Sequence, residues 1–120
     1  MAYLVDMHVL TTWLLFFSGV SFLSYGVSCL LTRKMKTEFV RFGLARFRML
    51  VGWLEVAGGA AQMIHGFFPG LAIIATGGLC LLMLLGVVTR IRIGDSLLAM
   101  SPAFGFMALN AWLLFLLIRP

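Results

Sequence analysis

The chain has 120 residues, of which 62% are hydrophobic and only 11% charged, and its mean hydropathy is +1.10. A soluble domain of this length needs about a quarter of its residues charged to cover its surface, so this composition predicts an integral membrane protein. The net charge of +5 does not indicate nucleic-acid binding, because the basic residues stand in short runs between long apolar segments, as they do on the cytosolic side of a membrane.

Four apolar segments are each close to the length of about 20 residues that crosses the hydrocarbon of a bilayer. They cover residues 9–31, 50–68, 71–88 and 97–118. Strands would have to alternate in polarity and close into a barrel, and these segments do not alternate. The sequence therefore predicts an all-α membrane protein, a single domain over residues 1–120 that forms a bundle of four transmembrane helices. Pro69 and Gly70 predict a tight helical hairpin between the second and third spans.

Basic residues are concentrated in two loops, residues 32–48 and 89–96, whereas Arg119 alone follows the fourth span. The loop residues are Arg33, Lys34, Lys36, Arg41, Arg46, Arg48, Arg90 and Arg92. With four spans both loops lie on one side, and the positive-inside rule puts that side in the cytosol and both termini on the non-cytosolic side. Phenylalanines between the basic residues of the first loop suit a segment at the membrane surface, where anionic lipid headgroups are the expected partner and nucleic acid is not.

One acidic residue, Glu55, falls inside an apolar span, in the stretch VGWLEVAGGAAQMIHG. It lies roughly 9 Å into the second span at the helical rise of 1.5 Å per residue. An ionised side chain in that position costs at least ~2.5 kcal/mol on insertion scales. The carboxyl should therefore face protein or a water-filled cavity, pair with a cation, or carry a proton.

Glu55 shares a helical face with Gln62 and with glycines that predict close helix packing. These glycines are Gly52, Gly58, Gly59 and Gly66. The two polar groups leave two interpretations open: hydrogen bonds that join helices, or a ligand or proton site in the bundle interior. For the second interpretation, Tyr25 in the first span and Asn110 in the fourth are the candidate partners. His65 lies near the outer end of its span and better suits a place at the interface.

The sequence contains no evident catalytic constellation. There is no nucleophile beside a base, no HExxH and no phosphate-binding glycine loop. Cys29 and Cys80 stand singly in apolar surroundings, without a CxxC or a histidine pair, so no metal site is expected.

The order of four short segments resembles the DoxX-like family of small four-helix membrane proteins. These segments are FGLARFR before the second span, GWLEVAGG within it, GFFPG at the hairpin, and LLMLLGVVTRIRIGD at the end of the third span. The resemblance extends over residues 38–110. It implies a four-helix bundle in the bacterial cytoplasmic membrane and a link to redox complexes, since the family name derives from a subunit of a thiosulfate:quinone oxidoreductase. Only Glu55 matches an acidic position of the family.

Three functions are consistent with these features. The first is a module that binds a lipophilic ligand such as a quinone, or an accessory subunit of a membrane oxidoreductase, which assembles with itself or with redox subunits. The second is a proton-coupled transporter of small molecules in which Glu55 exchanges the proton. The third is a structural or assembly protein without a ligand.

Overall fold

A computed structural model describes the backbone of residues 2–119 and the side chains of residues 6–119. Its α-helices are α1 (Ala2–Leu31), α2 (Arg33–Phe42), α3 (Arg48–Met63), α4 (Pro69–Arg92) and α5 (Leu97–Ile118), with a short 3-10 helix at Ala45–Phe47. The described residues contain no strand, which confirms the all-helical prediction. Three helices, α1 from Asp6 onward, α4 and α5, are long and apolar enough to cross a membrane, so the chain is a helical membrane protein.

The four long helices pack in the order α1, α3, α4, α5, and a smaller contact between α5 and α1 completes the ring. Neighbours in this ring are antiparallel. Gly58 of α3 meets Leu79 of α4, and Gln62, further along α3, meets Thr76, which is earlier in α4. The arrangement leaves an interior onto which one face of each long helix is turned.

Glycines bring α1 and α3 into backbone contact at two levels. A Cβ built on Gly59 would lie 2.7 Å from the carbonyl oxygen of Gly19, and one built on Gly26 would lie 2.8 Å from that of Gly52. The two glycines of each helix are seven residues apart, so they recur on one helical face. Small residues of this kind let membrane helices approach closely, and here they fix the register of α1 against α3.

The second span differs from its prediction over residues 50–68. The helix α3 has 16 residues and is therefore about 24 Å long, because the chain turns at residues 64–67. Pro69 opens α4 instead of forming the turn. Proline is favoured in a first helical turn, where its missing N–H would have no partner within the helix. The helices α1 and α4 also extend beyond the predicted spans, to Ala2 and Arg92 respectively.

The first basic loop contains the helix α2, which the sequence analysis did not predict. The Thr32 hydroxyl accepts a 3.3 Å hydrogen bond from the Met35 N–H at its start, and Gly43 ends it with a φ of 75°. Phe39 and Phe42 are buried and form a cluster with Cys29 of α1. These two phenylalanines therefore pack against protein, whereas the prediction placed them at the lipid surface.

Candidate functional site

Four polar side chains, one from each long helix, meet in the interior. Ser18 of α1, Gln62 of α3, Thr76 of α4 and Asn110 of α5 have no exposed surface. Gln62 Nε2 donates to Asn110 Oδ1 at 2.8 Å and to Thr76 Oγ1 at 3.0 Å, and Asn110 Nδ2 donates to Ser18 Oγ at 3.2 Å. Because each member comes from a different helix, this polar layer ties the whole ring together.

The hydrogen-bond donors of the polar layer's two amides are used, while one acceptor is open. Gln62 uses its amide nitrogen for two bonds, and Asn110 Nδ2 makes its second bond to the Phe106 carbonyl at 2.9 Å. Gln62 Oε1 is buried and has no hydrogen-bond partner among the described residues. A buried polar atom left unpaired costs about 1–3 kcal/mol, so this oxygen is suited to accept a bond from a ligand or a water molecule.

Glu55 provides a second open acceptor on the same face of α3. Its side chain is 8% exposed, and among the described residues its Oε2 atom is buried without a hydrogen-bond partner. It precedes Gln62 by seven residues, which places it about 10 Å closer to the basic end of the helices. A buried carboxylate is stable only when it is paired or protonated. This position therefore suits a proton or a ligand that donates a hydrogen bond.

The basic side chain at the start of α3 is not paired with Glu55. Arg48 Nη1 donates to the carbonyl oxygens of Cys29 and Leu30 at 2.8 and 2.9 Å, where it caps the last turn of α1. Within the described part of the chain, the salt bridges involve Glu38 and Asp95. Among the residues whose side chains are described, Glu55 thus forms no salt bridge.

An apolar groove of about 450 Å³ runs between α3 and α4, next to this interior. Every residue that lines it is Leu, Ile, Ala or Gly. They are Leu54, Ala57, Gly58, Ala61, Leu71, Ile74, Ala75, Gly78, Leu79, Leu81, Leu82 and Leu85. One lining residue, Gly58, lies on α3 between Glu55 and Gln62 in the sequence.

Tyr25 was a candidate partner for the interior site, but its side chain lies partly at the surface. Its side chain is 46% exposed, and its ring packs edge-on against Phe22 and Phe106, with centroids 6.4 and 5.6 Å apart. No hydrogen bond joins Tyr25 to Glu55 within the described residues. Of the four candidate site residues, the structure joins Gln62 and Asn110 directly, leaves Glu55 open and turns Tyr25 outward.

Three of the four candidate packing glycines lie at close helix contacts, and the fourth does not. Gly52 and Gly59 lie against α1, and a Cβ built on Gly58 would lie 2.8 Å from the Leu79 side chain of α4. Gly66 lies in the turn after α3, and a Cβ there would meet nothing within 4 Å. His65, in the same turn, approaches the Gln62 carbonyl oxygen with Nδ1 at 2.8 Å.

The eight basic loop residues also have different surroundings. Arg41 binds both oxygens of Asp95, at 2.6 and 3.2 Å, and Arg90 binds the same carboxylate at 2.9 Å. These guanidinium groups hold the pKa of Asp95 below its ordinary value, and the hydrogen bond from Arg41 has the largest effect. Arg92 donates to the Phe42 carbonyl at 3.1 Å. Arg41, Arg90 and Arg92 thus hold α2 against the end of α4 and the loop that follows it.

The remaining basic residues are more open. Arg46 lies over the Phe47 ring, 4.8 Å from its centroid. Arg33, Lys34 and Lys36 are exposed on α2. These four side chains are the ones available to anionic lipid headgroups.

Sequence reasoning did not place Ser18 or Thr76 in the candidate site. Each is a small hydroxyl residue in an apolar helix, where hydroxyls commonly bond to the helix's own backbone, so residue type alone gives no signal. The distance of each residue from the basic end of its helix does give a signal. Ser18, Gln62, Thr76 and Asn110 all lie about 20 to 24 Å from the basic end of their helices at 1.5 Å per residue.

No protein-family model, curated protein or solved structure matches this chain. The likeness of residues 38–110 to the DoxX-like family stays a prediction from the sequence.

Proposed function

We propose that this protein binds a lipophilic ligand inside a bundle of four membrane-spanning helices, and that Glu55 and Gln62 hold the ligand's polar end. The observation that carries the proposal is a pair of buried acceptor oxygens on one face of α3, Glu55 Oε2 and Gln62 Oε1, which have no hydrogen-bond partner in the described part of the chain. Each buried polar atom without a hydrogen-bond partner lowers the stability of the fold, and this small protein has two of them. A bound molecule that donates hydrogen bonds to them removes that cost.

The position of α3 supports a fourth crossing. Its first residue, Arg48, bonds to the last turn of α1, and the turn after α3 lies beside Phe16, whose ring is 5.3 Å from that of His65. The helix is about 24 Å long, slightly shorter than the roughly 30 Å hydrocarbon core. The exposed Phe67 and Phe68 extend it toward the interface. We therefore propose that α1, α3, α4 and α5 all cross, with the basic loops in the cytosol and both termini outside.

The resemblance to the DoxX-like family extends this proposal to location and partners. It favours the bacterial cytoplasmic membrane, a quinone-like ligand, whose reduced form carries the hydroxyl groups that can donate to these two oxygens, and assembly with a membrane oxidoreductase or with further copies of the chain. The side chains of the polar layer and Glu55 carry hydroxyl, amide and carboxyl groups, which do not transfer electrons. In this proposal the protein holds and orients the ligand, and a partner subunit supplies the electron-transfer step.

The test is to compare small molecules retained by the wild type, Glu55→Leu and Asp6→Leu after purification in a mild detergent. Native mass spectrometry and extraction of the released lipids identify the retained molecule. Asp6→Leu makes the same substitution at an exposed carboxylate. We expect wild type and Asp6→Leu to retain one molecule in stoichiometric amount and Glu55→Leu to lose at least about nine-tenths of it, since a hydrogen bond to a charged group contributes about 1.5–3 kcal/mol. Equal retention by all three proteins would overturn the proposal.

Two other outcomes separate the competing functions. Proton-coupled flux in proteoliposomes that is present in the wild type and absent in Glu55→Gln would indicate a transporter. Absence of both a retained molecule and flux, with Glu55→Leu more stable than the wild type, would indicate an assembly protein whose carboxyl serves packing alone.

A further inference from the structure

The groove between α3 and α4 has the shape and lining of a site for an alkyl chain. Along α4 it extends from Leu71 to Leu85, about 21 Å at the helical rise. Its volume of about 450 Å³ lies within the roughly 300–1,000 Å³ of small-molecule sites in proteins. It presents no polar side chain, so a polar head placed in it would be left without a partner.

Gly58 places this groove next to the open acceptors. It lines the groove, and it follows Glu55 by three residues and precedes Gln62 by four, which are the spacings of neighbours on a helix surface. Because Gly58 has no side chain, Leu79 of α4 covers α3 at this level, and Leu79 also lines the groove while being only 2% exposed. Thr76, one turn away from Leu79, contacts Gln62. Leu79 is therefore the side chain that lies between the groove and the polar layer.

The open atoms also restrict the chemistry of the head. Gln62 and Asn110 have used their amide N–H groups in the polar layer, whereas Glu55 Oε2 and Gln62 Oε1 have no donor. A head that only accepts hydrogen bonds, such as a ketone or a quinone carbonyl, finds no spare amide donor there. A hydroxyl or an ammonium group supplies the donor that both oxygens lack.

We propose that the α3–α4 groove holds the tail of a single-chain lipophile that enters from the membrane past Leu79, and that its head donates hydrogen bonds to Glu55 or Gln62. This inference rests on the proposed ligand site, and it adds the route, the tail site and the requirement for a donor head.

The test uses photoreactive alkyl probes of equal length that end in a hydroxyl, a primary amine or a methyl ketone. The protein is held in phosphatidylcholine nanodiscs, and labelled peptides are mapped by mass spectrometry. Gly78→Leu places an alkyl side chain in the groove: Gly78 lines it, and a Cβ there meets nothing within 4 Å. Gly105→Leu is the matched control, because Gly105 in α5 is equally open and lies outside the groove.

We expect the alcohol or the amine to label α3 and α4 at least about tenfold more than the ketone. Gly78→Leu should lower that labelling by a similar factor, and Gly105→Leu should leave it unchanged. Replacement of Glu55 by Gln distinguishes the two heads, because it removes the charge that an ammonium needs and keeps the oxygen that a hydroxyl uses.

Failure of the groove and failure of the ligand site give different results. If Glu55→Leu abolishes donor-specific labelling and Gly78→Leu does not, the groove is not the tail site, although the interior ligand site stands. If the ketone labels as well as the alcohol, the donor requirement is overturned. If neither Glu55→Leu nor Gly78→Leu lowers labelling, both proposals are overturned.

Discussion

Gln62 Nε2 lies 2.8 Å from Asn110 Oδ1, and this bond joins α3 to α5 across the interior. These helices are not neighbours in the ring, since α3 packs on α1 and α4 while α5 packs mainly on α4. The bond therefore acts across the molecule, where no packed helix surface could replace it. Apolar packing holds each pair of adjacent helices together, and the hydrogen bonds of the polar layer fix the position of one pair against the other.

A double-mutant cycle measures that bond. We expect Asn110→Leu to lower the free energy of unfolding by about 1–3 kcal/mol, because it removes one of the two partners of the Gln62 amide nitrogen and the partner of the Ser18 hydroxyl. The coupling between Gln62→Leu and Asn110→Leu should be about 0.5–2 kcal/mol, measured by denaturant titration in bicelles. Ser101→Ala is the control, since its hydroxyl is exposed and bonds only within its own helix, to the Leu98 carbonyl. Strictly additive effects would contradict a direct bond.

The α1–α3 glycine contact predicts opposite effects of one substitution at two places. Gly59→Ala puts a Cβ 2.7 Å from the backbone oxygen of Gly19, which cannot rotate away, so the helices must separate. We expect a loss of about 1–3 kcal/mol in unfolding free energy. Gly105→Ala meets nothing within 4 Å and should gain up to about 1 kcal/mol from helix propensity. Equal effects at both positions would rule out a tight glycine interface.

Composition was enough to predict a helical membrane protein, because 62% hydrophobic residues and long uncharged segments leave few other structures. Periodicity was enough to put Glu55 and Gln62 on one face of α3. Neither one gives the distance of a residue from the membrane surface. Asn110 was expected in one site with both Glu55 and Gln62, and the structure puts it at the depth of Gln62, about 10 Å from Glu55 along the axis.

The helix α2 shows a second limit of the sequence. A run of basic residues and phenylalanines is compatible with a lipid surface or with a protein surface, and periodicity is the same for both. The structure buries Phe39 and Phe42 against Cys29 of α1, and Arg41 of the same helix α2 binds Asp95 in the loop after α4. That partner is more than fifty residues away in the chain, so local sequence does not reveal it.

The ion cluster around Asp95 predicts a dependence of stability on pH. Because Arg41 and Arg90 lower the pKa of Asp95 in the folded protein, the cluster stabilises the fold fully above the ordinary carboxyl pKa of about 3.9. That contribution is lost as the pH falls through the lower folded value. We expect Asp95→Asn to unfold at a lower temperature than the wild type at about pH 7, and we expect this difference to shrink as the pH falls below the ordinary carboxyl pKa of about 3.9. Asp6→Asn, which removes an exposed carboxylate, should show no such convergence. A gap that stays constant over this range would mean that the cluster does not stabilise the fold.

Whether α3 crosses the membrane is tested by two single cysteines, one on each side of it. Thr37 lies exposed on α2 and Gly66 lies exposed in the turn after α3. In a background with Cys29 and Cys80 changed to Ala, we expect a membrane-impermeant maleimide to label Gly66→Cys in intact cells and Thr37→Cys only in inverted vesicles, because the proposed topology puts the basic loops in the cytosol. Labelling of both from one side would leave α3 as a helix that does not cross. The ligand site would then lie at a surface, and Glu55 would no longer need a partner to offset burial in hydrocarbon.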